Sequence, residues 1–393
     1  MLQLQIVSFR KGSYLVVEGK ENTDHFYIIQ KGNVQCMKAS GSGIAPTVYG
    51  PGDFVGVVPC MSDHLQIETA IAVTDVMAIS VRKDQYPELI SQNTPVALKI
   101  IKTFANRMRV MNEMLTKATL HSVVQDTYEQ IFKVASFYEK NALPDVAVYA
   151  YYQYLKTKPE GPNADLAKQK FVALKPKTHA VYFEPTAEPS RQYPKDTMIF
   201  SEAQTGSDMF IIQRGEVSIT KVVNGNEVTL AVLKKGDMFG EMALIENKPR
   251  SANALAHSDC TLMVINRSNF NQMVATQPQL IAKLTTTLAD RLWSMYRKLD
   301  NATHTEPLAK MLDMLSLQLE KQRVKIGLSK LSMQTEFTPK DLANMCGHAS
   351  EYQAKAIYEF EQYDQIRIEN GKIFIKDAQE LMKAAAFYRK QNK

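Results

Sequence analysis

The chain is predicted to be an α+β protein built from two jelly-roll β-barrels, each followed by a long helix, with helical modules between and after them. Three observations predict this. First, one segment repeats. Residues 25–32 (HFYIIQKG) parallel residues 208–215 (DMFIIQRG), Gly52-Asp53 parallels Gly236-Asp237, and Tyr86 parallels Phe270. The offset is 183–184 throughout (215 − 32, 236 − 52, 270 − 86). Second, each copy shows short apolar runs between turn residues, as at 26–30, 34–37 and 76–81, which suits eight short strands. Third, each copy continues into a helix with apolar residues at near-heptad spacing. These are Leu98, Ile101, Ala105, Met108 and Leu115 over 94–117, and Ile281, Leu284, Leu288, Leu292, Met295 and Leu299 over 279–301. Gly32 and Gly215 directly follow a strand and are expected to form tight turns.

Composition bounds the class. The 393 residues are enough for two to four domains, and 45% hydrophobic with 22% charged residues is ordinary for a packed globular protein. Cys36, Cys60, Cys260 and Cys346 are scattered and form no CxxC pair, which argues against a zinc site or a disulfide framework and suits a reducing cytosol. The N-terminus lacks a signal-peptide pattern, and no apolar run approaches the roughly 18–20 residues of a membrane helix. A cytoplasmic protein is therefore expected. The net charge of +6 permits nucleic acid as a partner without requiring it.

The four expected domains are residues 1–118, 119–182, 183–302 and 303–393. In the second, residues 122–140, 144–158 and 163–174 show helical spacing. Ile131, Ala135, Tyr138, Ala147, Tyr151, Tyr154 and Pro159 resemble one tetratricopeptide unit. A single such unit must bury its face on a barrel or on a partner protein. A plain helical linker and a peptide-binding hairpin both remain open.

In the fourth domain, Thr338 is placed to cap a helix with Pro339 in its first turn and Gly347 at its end. A second helix begins near Ser350. Residues 365–375 alternate about Asn370-Gly371, a hairpin signal. Helix, turn, helix and hairpin in this order resemble the winged helix–turn–helix of the cyclic-AMP receptor protein family over roughly residues 304–384. The resemblance places Ser350, Glu351 and Lys355 where DNA contacts would come. This face departs from the family, with Ser350 where the first arginine would fall and Lys355 at the second. Residues 350–362 hold one lysine and three glutamates, and residues 303–393 hold 14 Lys+Arg against 12 Asp+Glu. Phosphate neutralisation drives DNA affinity, so DNA binding and a protein-interaction role both stay open.

Residues 239–252 (FGEMALIENKPRSA) carry the chemistry. Gly240 allows backbone to approach a ligand closely. Glu241 is acceptor-only and suits a sugar hydroxyl. The N–H groups of a short apolar turn favour an anion, and Arg250 adds a bidentate contact a lysine could not reproduce. The stretch resembles the phosphate-binding cassette of cyclic-nucleotide-binding domains. The resemblance implies that Glu241 binds the ribose 2′-hydroxyl and Arg250 the phosphate. Phe239, Gly240, Met242, Ala243, Leu244, Ser251 and Ala252 would complete the site. It also places Met295 and Tyr296 where adenine contacts come. Ser251 after Arg250 fits cyclic AMP, with cyclic GMP as the alternative. No cofactor, metal or catalytic residue is expected, because no Walker-type loop, nucleophile elbow or clustered ligand set is present.

The first copy departs where the chemistry would be. At the same offset, Val57 replaces Glu241 and Gln66 replaces Arg250. A buried phosphate would then lack its compensating charge. A barrel that has lost its ligand is expected, and a changed ligand is the alternative. In relatives with one barrel, the helices of two subunits pair. Here one chain holds both helices, so either a pseudo-dimer within the chain or a homodimer is expected. The function these features imply is a cyclic-nucleotide-responsive transcription regulator. The alternative is a nucleotide-responsive protein–protein adaptor that does not bind DNA.

Overall fold

The computed structural model describes all residues except 1, 22–23, 39–43, 121–127, 224, 247, 325–326, 328, 348–349 and 392–393, together with the side chains of 119–120, 245–246 and 350–351. In chain order, the first repeat contains β1 (Gln5–Phe9), β2 (Tyr14–Val16), β3 (His25–Lys31), β4 (Val34–Met37), β5 (Thr47–Tyr49), β6 (Phe54–Val55), α1 (Val57–Ser62), β7 (Thr69–Ala72) and β8 (Val76–Arg82). Helices α2 (Tyr86–Gln92) and α3 (Thr94–Leu120) follow. A three-helix insert comes next, with α4 (Glu129–Lys140), α5 (Pro144–Thr157) and α6 (Ala164–Leu174). The second repeat contains β9 (Ser190–Tyr193), β10 (Met198–Phe200), β11 (Met209–Arg214), β12 (Val217–Val223), β13 (Asn226–Leu233), β14 (Met238–Phe239), α7 (Glu241–Glu246), β15 (Asn253–Ala256), β16 (Cys260–Ile265), α8 (Arg267–Thr276) and α9 (Pro278–Ala302). The C-terminal part runs α10 (Pro307–Lys321), β17 (Met333–Gln334), α11 (Pro339–Cys346), α12 (Ser350–Glu361), β18 (Ile366–Glu369), β19 (Lys372–Ile375) and α13 (Ala378–Gln391).

Each repeat is a sandwich of two four-stranded antiparallel sheets rather than one continuous barrel. The first has strand orders β1-β8-β3-β6 and β2-β7-β4-β5. The second has β9-β16-β11-β14 and β10-β15-β12-β13, the same orders shifted by eight. The strands are mostly three to eight residues long, and their inward residues fill the space between the sheets. Val16, Tyr27, Val34, Ala70 and Ala78 do so in the first, and Ile199, Phe210, Val217, Ala254 and Leu262 in the second. Gly32 and Gly215 have φ of 87° and 85°, and an added Cβ would lie 2.2 and 2.3 Å from the carbonyls of Asp75 and Asp259. The tight turns expected there are present.

The chain divides into two compact units. One comprises Met1–Tyr86, Val110–His121 and Ala289–Lys393. It holds the first sandwich, the second half of α9 and the C-terminal part. The other comprises Pro87–Arg109 and Ser122–Leu288, and so holds the first half of α3, the helical insert and the second sandwich. Within this second unit the insert shares one core with the sandwich. Ile131, Tyr138, Ala147, Tyr151 and Tyr154, each at most 1% exposed, pack with Met198, Ala203, Val222 and Leu255. The helix expected over 122–140 is described from Glu129, its earlier part lying outside the described residues.

In the first unit, Thr338 accepts from the Asp341 N–H while Asp341 accepts from the Thr338 N–H, and Gly347 closes α11 in the left-handed region. Asn370 and Gly371 turn β18 into β19 with positive φ at both residues, and β17 adds a third strand. One expectation about α3 needs correction. Leu98 is 36% exposed, whereas Ile100, Phe104 and Met111 are buried. Ile101, Ala105 and Met108 of the expected stripe are buried, but the helix buries a face wider than a coiled-coil seam and Leu98 lies outside it. No helix among the described residues is long and apolar enough to cross a membrane.

Candidate ligand-binding site

The cassette of the second sandwich forms where β14 ends. Gly240 turns the chain with φ of 79°, and α7 begins at Glu241. An added Cβ at Gly240 would lie 2.7 Å from Arg250 Nη1 and 3.2 Å from the Asp208 carbonyl, so only glycine fits. Glu241 is 3% exposed and Arg250 is 5% exposed. Two opposite charges are thus buried in one place, behind an apolar floor. Phe239 stacks on Phe210 with ring centroids 5.2 Å apart, and the Arg250 guanidinium carbon lies 4.1 Å from the Phe200 centroid.

Arg250 is held by backbone. Its Nη1 donates to the Gly240 carbonyl and its Nη2 to the Asp208 carbonyl, both at 2.7 Å. Its Nε is buried and has no hydrogen-bond partner among the described residues. Burial pushes the guanidinium down to about 10, against the opposing charge of Asp208. A desolvated guanidinium with an unused donor is suited to an anion.

The remaining residues expected in the cassette fall around this pair. Met242, Ala243, Leu244 and Ala252 are buried. Ser251 directs its hydroxyl toward Met242 Sδ at 3.7 Å, and the Leu244 carbonyl accepts from Arg267 Nη2 at 2.9 Å. Four residues not anticipated from sequence join them. Gly206 faces the guanidinium so closely that an added Cβ would lie only 2.9 Å from Nη2. Asp208 supplies a carbonyl, and Gln204 pairs with Arg250 through backbone. Arg109 of α3 donates from Nη2 to the Pro249 carbonyl at 3.3 Å.

Met295 and Tyr296 belong to the first unit, whereas the cassette belongs to the second. Tyr296 is buried with Lys38 Nζ 5.9 Å from its ring centroid. Lys38 in turn pairs with Asp300 at 2.9 Å and Glu18 at 3.6 Å.

In the first sandwich, Gly56 keeps the cassette turn with φ of 75°. Val57 and Gln66 are buried at 4% and 2% exposure, and every residue of α1 is buried. The loop after α1 is engaged by the rest of its unit. Trp293 Nε1 donates to the Leu65 carbonyl at 3.3 Å, and His64 stacks on Trp293 at 3.7 Å between centroids and 16° between planes. Arg323 donates to the Ser62 carbonyl and pairs with Asp290 at 3.2 Å. His64 is part of this contact. Sequence carried no local signal for it, since its partners are more than 200 residues away.

On α12, Lys355 pairs with Glu359 at 3.7 Å, while Tyr352 and Tyr358 are 56% and 66% exposed. The side chains of Ser350 and Glu351 lie outside those described.

Comparison with known proteins places this geometry. Residues 6–93 and 190–277 each match the model of the cyclic nucleotide-binding domain. A CRP-like cAMP-activated global transcriptional regulator of Mycobacterium tuberculosis is 25% identical over 194 residues, covering 49% of this chain and 86% of that protein. The cGMP-dependent protein kinase 2 of Homo sapiens is 40% identical over 91 residues, covering 22% of this chain and 12% of that protein. A cAMP-dependent protein kinase regulatory subunit of Yarrowia lipolytica is 20% identical over 263 residues, covering 67% and 52%. The chain therefore carries two tandem cyclic nucleotide-binding domains, with relatives among both bacterial regulators and kinase regulatory subunits.

Proposed function

We propose that the chain is a sensor of cyclic AMP in which the second sandwich alone holds the ligand. The carrying observation is the buried pair Glu241 and Arg250 behind Gly240, with the Arg250 Nε unused, against Val57 and Gln66 in the first sandwich. Glu241 is suited to the ribose 2′-hydroxyl as acceptor, and Arg250 to the cyclic phosphate. Ser251 favours cyclic AMP, with cyclic GMP as its competitor. The site binds and does not transform its ligand, and needs no cofactor.

The response is proposed to pass through the two long helices, arranged as a pseudo-dimer within one chain. The contact of Arg109 with Pro249 supports this reading, as does that of Trp293 with Leu65. Each brings the helix of one repeat to the cassette of the other. The cover over the base is accordingly proposed for α3 beside Arg109 rather than for Met295 and Tyr296. A symmetric homodimer paired through residues 279–301 in crosslinking would overturn the pseudo-dimer.

The output is proposed to be transcription regulation through a winged helix–turn–helix formed by residues 303–393. The second reading is a nucleotide-responsive adaptor that does not bind DNA. The exposed Tyr352 and Tyr358 and the Glu359-paired Lys355 favour that adaptor, because they leave α12 short of free cations. Electrophoretic shift assays on genomic fragments, with and without cyclic AMP at two salt concentrations, separate the two. Salt-sensitive shifts that require the nucleotide support the regulator, and their absence supports the adaptor.

A further inference from the structure

The loop that carries Arg250, between α7 and β15, is braced from outside the sandwich. Ala203 N–H donates to the Arg250 carbonyl and Arg250 N–H to the Gln204 carbonyl, both at 2.8 Å. The Gln204 side chain is itself fixed at both ends. Its Oε1 accepts from the Ser201 N–H at 2.9 Å, and its Nε2 donates to the hydroxyl of Tyr149 at 3.2 Å. Tyr149 lies on α5 of the helical insert. It is 3% exposed and stacks on Phe183 with centroids 5.8 Å apart and planes 28° apart. Burial pushes its phenol up to about 12, so it stays neutral as an acceptor.

We propose that the helical insert is a working part of the ligand site and that Tyr149 is a positioning residue for Arg250. The inference rests on the reading of Arg250 as the ligand-binding cation. Tyr149 meets no ligand itself. It holds Gln204, and Gln204 sets the backbone that aims the guanidinium at its two carbonyls and leaves Nε available. The consequence is thermodynamic linkage, in which ligand at Arg250 and order in α5 favour one another.

The same insert supplies an internal control. Tyr138 on α4 also buries a hydroxyl against the sandwich, meeting Thr220 Oγ1 at 3.0 Å and Glu227 Oε1 at 2.6 Å, away from the Arg250 ladder. Insert docking therefore does not depend on Tyr149 alone.

The experiment is calorimetric titration of cyclic AMP into the full chain and into Tyr149→Phe, Tyr138→Phe, Arg250→Lys and the double variant Tyr149→Phe/Arg250→Lys. Tyr149→Phe is expected to weaken binding about three- to tenfold, the worth of one buried neutral hydrogen bond. Tyr138→Phe is expected to bind as the parent does. In the Arg250→Lys background the Tyr149→Phe effect is expected to vanish, because its route runs through Arg250. Hydrogen exchange in residues 144–157 is expected to slow on nucleotide saturation in the parent and to respond less in Tyr149→Phe. Equal losses in both tyrosine variants, or a Tyr149→Phe effect that persists unchanged beside Arg250→Lys, would overturn the positioning role. No binding by the parent chain would instead overturn the ligand reading beneath it.

Discussion

Arg109 and Trp293 occupy the same position of the repeat, 184 residues apart (293 − 109), and each donates at 3.3 Å to the same carbonyl of a cassette loop. Those acceptors, Pro249 and Leu65, are also 184 apart (249 − 65). The helix that follows the first sandwich thus serves the second cassette, and the helix that follows the second sandwich serves the first. The two contacts differ in chemistry. Trp293 is locked by the stacked ring of His64, whereas the helix reaches the second cassette through a charged guanidinium. A stacked contact at one cassette and a guanidinium contact at the other make the two cassettes chemically unlike.

Trp293 is the chain's single tryptophan and is 2% exposed. Replacing it with alanine removes the stack on His64 and the donor to Leu65, and is expected to cost about 3–5 kcal/mol. Urea unfolding followed by circular dichroism checks this. In the parent chain, tryptophan emission is expected to change on cyclic AMP saturation if α9 shifts against its neighbours.

Gly206 has an ordinary φ but faces the guanidinium closely. An added Cβ would lie 2.9 Å from Nη2, 3.0 Å from Nε and 3.2 Å from Cζ of Arg250. Gly206→Ala is therefore expected to displace Arg250 and weaken nucleotide binding about tenfold, while stability changes by about 1 kcal/mol or less because the backbone can keep its conformation. Parallel calorimetry and thermal unfolding would show the split.

Asp313 of α10 is fully buried and gathers charge from two other helices. Arg297 Nη2 approaches at 3.1 Å, Arg389 Nη1 at 2.5 Å and Asn301 Nδ2 at 3.2 Å. Burial alone would raise its carboxyl, but Arg297, His304 and Arg389 outweigh it and hold it well below the usual carboxylate range. A depressed carboxyl contributes stability that is present above its unfolded value, near ~4, and is lost as pH falls toward the folded one. Acid unfolding of the parent is expected to steepen below about pH 4, and Asp313→Asn to flatten that limb. At neutral pH, Asp313→Ala is expected to cost about 3–5 kcal/mol, toward the low end because Glu320 also meets Arg297 at 3.1 Å. Denaturant titration across pH checks both.

The sandwiches were readable because alternation and the repeat fall within single strands and turns, as at residues 26–30 and Gly215. That Glu241 and Arg250 lie buried together was readable because one short stretch of sequence carries both. Gly206, Gln204 and Tyr149 were not, since they reach Arg250 through tertiary pairing and carry no motif. Arg109 was hidden for another reason. A helix after one sandwich was read as serving that sandwich, and only the folded chain reveals the exchange. Leu98 was misassigned because apolar spacing marks a buried face without fixing its width.

The most direct measurement is calorimetric titration of cyclic AMP into the full chain, with Arg250→Leu beside it. One site per chain, weakened at least about a hundredfold in the variant, is the expected result, since a buried phosphate would lose its charge-assisted partner. Two sites per chain, or a single site that survives Arg250→Leu, would contradict the assignment of the ligand to the second sandwich alone.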